Sequence, residues 1–414
     1  MTTATLEKTL TTAQPPAARP PSAPKSAKAV LAGLDFGTNK SCLLAGTPGS
    51  GDIAVSKVVP TCVGYVKEGI VEGIIAGNAT RLFGEEALQN KLHVNLVAPM
   101  EEGVIAHPEA ARDFLAHLRS LADPSGQAEI RAVIGVPANA AETTREDIRR
   151  CAHGIFNRVL LIPEPFLAAV GFRDNSRLGQ PGYIDPVINS LFIDIGGGTS
   201  DLCLVQGYFP TGDDQISIPF AGDAIDALME AELNRTYPNN GLSRHKVREI
   251  KEAHGYVGPS RRPMDVKVIM GGKAHLLELA DVIGNACNTL VEKIYPALTT
   301  LISRASSDSV VTLLQNIIVT GGGSQLRGID TVLQQRLAAD GYETPKVRLA
   351  GQDYKRYVAI GALKAARAAR ELAAVLRRFL DVDIGELAQL HVVGRQQRRD
   401  EPFARRPADR RLAL

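Results

Sequence analysis

No run of roughly 18 consecutive apolar residues interrupts the 414-residue chain, so no segment has the length of a membrane-spanning helix. The N-terminus also lacks the continuous apolar stretch of a secretory signal, and both absences point to a cytoplasmic protein. Cysteine is sparse and scattered. Cys42, Cys62, Cys151, Cys203 and Cys287 form no CxxC pair and have no histidine in metal-ligand register, which reads as reduced core residues of a cytosolic chain. An excess of one charge sign is missing as well. A net charge of +2 gives no case for nucleic-acid binding by the body of the protein. Neither GxGxxG opening a first helix nor GxxxxGK[ST] occurs, which disfavours Rossmann and P-loop folds.

What is present is an ordinary globular composition, 44% apolar and 22% charged, in a chain long enough for two core-forming domains. Residues 1–28 hold Pro15, Pro16, Pro20, Pro21 and Pro24 among Ala, Thr, Ser and Lys, a flexible extension by composition. At the other end, seven arginines between Arg395 and Arg411 make residues 381–414 a basic tail. That tail is either a solvated segment or one that docks on an acidic surface such as anionic lipid.

Folded structure is expected to begin at Ala29, where a short apolar run ends in Asp35-Phe36-Gly37-Thr38. A second run, Val187 to Ile195, ends in Asp194-Ile195-Gly196-Gly197-Gly198-Thr199-Ser200-Asp201 and passes into another apolar strand. Strand, acid, glycine turn, hydroxyl and second strand thus occur twice, as expected of two related halves. A third turn, Gly321-Gly322-Gly323-Ser324, follows the β-branched run Ile317 to Thr320. Helical spacing marks Glu109 to Leu121, Ala141 to Ile155, Asp223 to Leu233, Ala274 to Arg304, Ile329 to Leu337 and Tyr357 to Phe379. Strands alternating with helices argue for an α/β fold.

A glycine turn directly after a buried strand lets backbone N–H groups approach an anion, and Thr38, Thr199, Ser200 and Ser324 add hydroxyl donors. Two carboxylates on facing strand ends, Asp35 and Asp194, would repel a phosphate unless a cation lay between them, which implies a hydrated magnesium ion. Each turn alone is a common strand-to-loop transition. Only the set of three carries the inference.

The first turn resembles the phosphate-1 motif of the actin, Hsp70 and sugar-kinase superfamily, the second its phosphate-2 motif, and Gly321 to Ser324 its adenosine motif. Ala132 to Ala138 and Ile162-Pro163-Glu164-Pro165-Phe166 resemble the intervening segments of bacterial actins of the MreB and MamK type. Leu314 to Ile317 running into the third turn, with Arg327-Gly328 and Val247 to Gly258, is more similar to the magnetosome-filament branch. The resemblance runs in order from about residue 29 to about residue 370. It implies an actin-like α/β ATPase fold, two related domains each with a mixed five-stranded sheet flanked by helices, and nucleotide in the cleft between them. Expected boundaries are 29–190 for domain I with a smaller subdomain near 57–97, 191–345 for domain II with one near 223–290, and 346–380 returning to domain I.

By the same resemblance Glu164 orients the water that attacks the γ-phosphate. Asp35 and Asp194 hold Mg²⁺ through water. Gly37, Thr38, Asn39, Gly196, Gly197, Gly198 and Thr199 cradle phosphates, Gly222 and Asp223 border the ribose, Lys251 lies at the nucleotide edge, and Gly321, Gly322, Gly323 and Ser324 face the adenosine. Read alone, Glu164 is a helix N-terminal acid and Lys251 an exposed helix charge. Lys40 departs from the commonest bacterial pattern. The implied function is an ATP- and Mg²⁺-dependent, slow ATPase that self-assembles into a cytoplasmic filament, positions magnetosomes and meets organelle- or membrane-associated adaptors. A rod-shape filament at the membrane, a small-molecule kinase and a non-polymerising adaptor are the alternatives.

Overall fold

A computed structural model describes residues 29–259 and 263–380 of the chain; the expectations for 1–28 and 381–414 fall outside them. Ala29–Asp35 is the central strand of a five-stranded sheet ordered Arg158–Pro163, Glu129–Val136, Ala29–Asp35, Lys40–Gly46, Val55–Pro60. It pairs antiparallel with Lys40–Gly46 and parallel with Glu129–Val136. Ser190–Ile195 holds the same place in a second sheet ordered Gln215–Ile218, Ser200–Val205, Ser190–Ile195, Ile317–Thr320, Val347–Leu349. There too a hairpin lies on one side and parallel strands on the other. The connectivity of the two sheets is identical, as the repeated acid-glycine turn predicts.

The inner strands are buried because each sheet is covered on both faces there, which is why they read as continuous apolar runs rather than alternating ones, whereas the edge strands Val55–Pro60 and Val347–Leu349 are partly exposed. Helices Pro108–Ala122 and Glu142–Ala152 cover the outer face of the first sheet, burying Phe36, Phe114, Leu115 and Ile134. Helices Ala280–Arg304 and Ile329–Ala339 cover the outer face of the second around Ile193, Leu202, Leu290 and Leu333. The inner faces share one core. Leu31, Leu44 and Val133 of the first sheet meet Phe192, Cys203 and Ile318 of the second around helices Glu164–Phe172 and Tyr357–Leu380. Those two helices touch backbone to backbone: a Cβ on Gly361 would collide with the Leu167 carbonyl, and one on Gly171 with the Tyr357 carbonyl.

Two smaller units rise from this frame. In the first half, Val63–Val66 pairs with Arg81–Phe83 and Val94–Val97, and with helix Gly84–Gln89 it encloses Ile75, Leu82, Ala87 and Val94. The second half carries helices Gly222–Thr236 and Arg244–His254 and the hairpin Asp265–Met270/Lys273–Glu278. That hairpin corrects the expected helix from Ala274. Gly271 and Gly272 take φ of 54° and 80°, the positive values a two-residue hairpin turn requires, so Lys273–Glu278 pairs as a strand and the helix begins at Ala280.

Candidate functional site

The central strands of both sheets end at one cavity of about 430 Å³. Asp35 closes the first strand, and Asp194, 8% exposed, stands one residue before the end of the second. The second turn is closed by Gly196 N donating to Thr199 O at 2.9 Å. The carbonyls of Gly196 and Gly197 then accept from the N–H groups of Gly222 (3.2 Å) and Asp223 (2.8 Å), which seats helix Gly222–Thr236 on the turn. The first turn reaches the same place from the opposite sheet: Asn39 Nδ2 donates to Asp223 Oδ1 at 2.8 Å. A side chain on Gly197 would strike the Asn39 amide, so glycine is what lets the two turns meet. At the third turn Gly321 has φ 75° and any Cβ there would collide with Asp194 Oδ1, whereas Gly322 faces open space.

All but three of the residues expected from the sequence line this cavity: Gly37, Thr38 and Asn39; Gly196, Gly197, Gly198 and Thr199; Gly222, Lys251 and Gly321 to Gly323; and the acids Asp35, Glu164 and Asp194. Asp223, Ser324 and Ser200 stand behind the wall, the buried Ser200 hydroxyl turned away to donate to Phe220 O at 2.7 Å. Asp223 is the acceptor that holds Asn39 and Arg248 (Nη2, 2.7 Å), and the buried Ser324 hydroxyl donates to Gly321 O at 2.7 Å, bracing the third turn. Lys251 is buried rather than exposed. Its Nζ donates to Gly222 O at 2.6 Å and pairs with Asp226 Oδ1 at 2.6 Å, while Arg248 Nε reaches Asp226 Oδ2 at 2.9 Å. Sequence reasoning passed over Arg248 and Asp226. Their signal was the one-turn spacing of Asp223 to Asp226 and of Arg248 to Lys251, which puts two acids and two cations on facing helix sides.

Glu164 opens helix Glu164–Phe172 between Pro163 and Pro165. Gly135 gives it room, since a Cβ there would come 2.8 Å from Glu164 Cγ. Asp201, also passed over, is 1% exposed; its Oδ1 accepts from Ala138 N at 3.0 Å and its Oδ2 from Thr199 Oγ1 at 2.7 Å. All four carboxyls titrate high. Burial lifts Asp35 to about 7 and Asp201 to about 6, the latter against hydrogen bonds from Ser217, Thr199 and Ala138. Glu164 is pushed well above the carboxylate range by burial and by Asp35, Asp201 and Asp194; Asp194 is pushed up by burial and by Asp35 and Asp201. Among the described residues no arginine or lysine forms an ion pair with any of the four. A divalent cation fits this imbalance. No three His, Cys, Asp or Glu among the described residues are grouped to ligate a metal ion directly.

Two copies of one five-stranded sheet meeting at an acidic cleft lined by three glycine turns define the actin-like class of fold. The MreB/Mbl protein family profile matches residues 33–372. The chain belongs to that family and is an actin-like cytoskeletal protein. It is 26% identical over 310 residues to the actin-like protein MamK of Paramagnetospirillum magneticum, covering 74% of this chain and 84% of that one. To the cell shape-determining protein MreB of Escherichia coli it is 27% identical over 263 residues, 59% of this chain and 70% of the other. Among solved structures it is similar to a MamK double helical filament, with TM-score 0.72 at 26% identity over 81% of this chain and 98% of that one. It is also similar to a non-polymerising MamK mutant bound to AMPPNP, with TM-score 0.58 at 26% identity over 82% and 99%. No helix among the described residues is long and apolar enough to cross a membrane.

Proposed function

We propose that this chain binds ATP with Mg²⁺ in the cleft, hydrolyses it slowly and polymerises into a cytoplasmic filament. The observation that carries the reading is the set of four clustered carboxyls without a protein cation, Asp194 and Asp201 buried and Asp35 and Glu164 partly so, set beside glycine turns whose N–H groups suit phosphate. Asp35 and Asp194 would hold the magnesium ion through its water shell, and the ion would supply charge neutralisation for the phosphates. Thr38, Asn39, Gly37 and Gly196 to Thr199 bind and orient the phosphates, and Gly222, Asp223, Lys251 and Gly321 to Ser324 frame the nucleoside, Asp223 and Ser324 from behind the wall. Glu164 holds a water in line with the terminal phosphate. Burial and the neighbouring carboxyls raise its pKa, so a cation entering the cleft would favour the carboxylate form that the role needs.

Self-assembly is supported by the likeness to the MamK filament, whose length this chain covers almost completely. Positioning of magnetosomes, with organelle- or membrane-associated adaptors, is the finer role that the resemblance to that branch supports. Ultracentrifugation with ATP and Mg²⁺, beside Glu164→Ala and a nucleotide-free control and with phosphate release followed in the same tubes, tests the core of the proposal. Nucleotide-dependent pelleting with hydrolysis lost in the variant is expected. A protein that stays in the supernatant and turns over ATP only with a small acceptor present would instead be a kinase.

A further inference from the structure

Two consecutive residues leave the first glycine turn and reach the other half of the molecule. Asn39 Nδ2 donates to Asp223, and Lys40 Nζ stands 3.9 Å from Glu252 Oε1 on helix Arg244–His254. Backbone pairing fixes where Lys40 starts: it stands opposite Pro60 in the sheet, and Thr61 N donates to Asn39 O at 2.9 Å. Lys40, Glu252, Tyr354 and Lys355 line one side of the cavity, with the last two on the segment leading into helix Tyr357–Leu380. Burial and then the facing Lys355 disfavour the Lys40 charge, while Glu252 favours it. A lysine crowded by a second lysine at a half-open mouth would swing to water if nothing held it. Here its one carboxylate partner lies across the cleft.

We propose that Lys40 and Glu252 form an ionic clasp across the cleft mouth that slows nucleotide exchange, with Lys40 acting as a positioning residue between the halves and not as a phosphate ligand. The inference rests on the nucleotide reading above. Both side chains are partly exposed, 39% and 57%, so the pair is weak and its effect is kinetic. The test is release of a fluorescent mant-ATP, chased by excess ATP in a stopped-flow instrument with Mg²⁺, at protein concentrations below those that pellet. Wild type is compared with Lys40→Met, Glu252→Gln and the charge swap Lys40→Glu/Glu252→Lys.

Each single variant is expected to release about threefold faster at low salt, with the difference fading at high salt as the exposed pair is screened. The swap is expected to return the rate close to wild type. A phosphate-ligand role predicts the opposite for Glu252→Gln, because freeing Lys40 would slow release. Release from Glu252→Gln at the wild-type rate or slower, or a swap as fast as the singles, overturns the clasp. Wild type that binds no mant-ATP overturns the nucleotide reading itself, and the clasp with it.

Discussion

Replacing Asp35 by asparagine should stabilise the empty protein while weakening its response to Mg²⁺ and nucleotide. The carboxyl is lifted from 3.8 to about 7 by burial, so the folded chain holds a proton that the unfolded chain has already released. The sign follows: stability is lost as pH rises from about 4 through about 7, because the unfolded state binds fewer protons across that window. Relative to a neutral side chain, linkage with these two values gives a penalty of about 2 kcal/mol at pH ~5.5 and about 4 kcal/mol at pH ~7.5. The difference, about 2 kcal/mol, is the firmer quantity because any constant effect of the amide cancels. At an unfolding entropy of about 2.1 cal/mol/K per residue over residues 29–380, it corresponds to about 3 °C. Thermal unfolding in EDTA at the two pH values, wild type beside Asp35→Asn, measures it. The variant's gain in Tm should be larger at the higher pH by about that amount, and the upshift that wild type shows with Mg²⁺ and AMPPNP should shrink in the variant. An equal gain at both pH values, or no gain at pH ~7.5, would refute the claim that the cleft stores uncompensated negative charge.

The remaining expectations concern single contacts. Glu164→Ala should retain nucleotide binding, measured by fluorescence titration, and lower phosphate release by about 10²-fold or more, the usual effect of removing a group that positions a reactant. Asp226→Asn removes the one carboxylate shared by Lys251 and Arg248 at a fully buried site, and urea unfolding should register a loss of about 3 kcal/mol or more. Gly361→Ala drives a methyl into the Leu167 carbonyl between two helices that touch backbone to backbone; a stability loss of about 3 kcal/mol, with Gly322→Ala as the near-neutral control because that position faces open space, is the pattern expected in the same assay.

Much of this arrangement was legible in the sequence because it is written in local terms. A buried parallel strand must be apolar throughout, and its turn must carry glycine wherever backbone meets ligand or another turn, so the three glycine turns with Asp35 and Asp194 stand out in the sequence itself. What escaped depended on partners far along the chain. Lys251 looked like a surface charge because its partner Asp226 lies on a different helix, and two helices facing one another cannot be read from either one. Asp201 was visible within its motif, yet its bond to Ala138 N joins the two halves, a contact that no local pattern encodes. Ala274 to Glu278 has enough alanine and leucine to suit a helix; the Gly271-Gly272 turn and pairing with Asp265–Met270 override that propensity.

The ties between the halves fall into two kinds, and the difference bears on how the molecule could move. At one end of the cleft they are short: the buried bond from Ala138 N to Asp201 Oδ1 at 3.0 Å and the part-buried one from Asn139 Nδ2 to Gln215 O at 2.6 Å, beside the inner core of Leu44, Val133, Phe192 and Ile318. Shearing that end would break packed apolar contacts and expose buried carboxyls. At the mouth the ties are side-chain bridges from Asn39 and Lys40, one of them long and half exposed. A hinge therefore belongs at the packed end and the opening at the mouth. Any ligand that engages the first and second glycine turns together adds a further tie on the opening side, and its binding free energy shifts the angle between the halves by as much as it prefers the closed form. Surfaces on the two halves that meet a neighbouring subunit would sense that angle directly, without requiring a separate signalling element between the cleft and the filament contact.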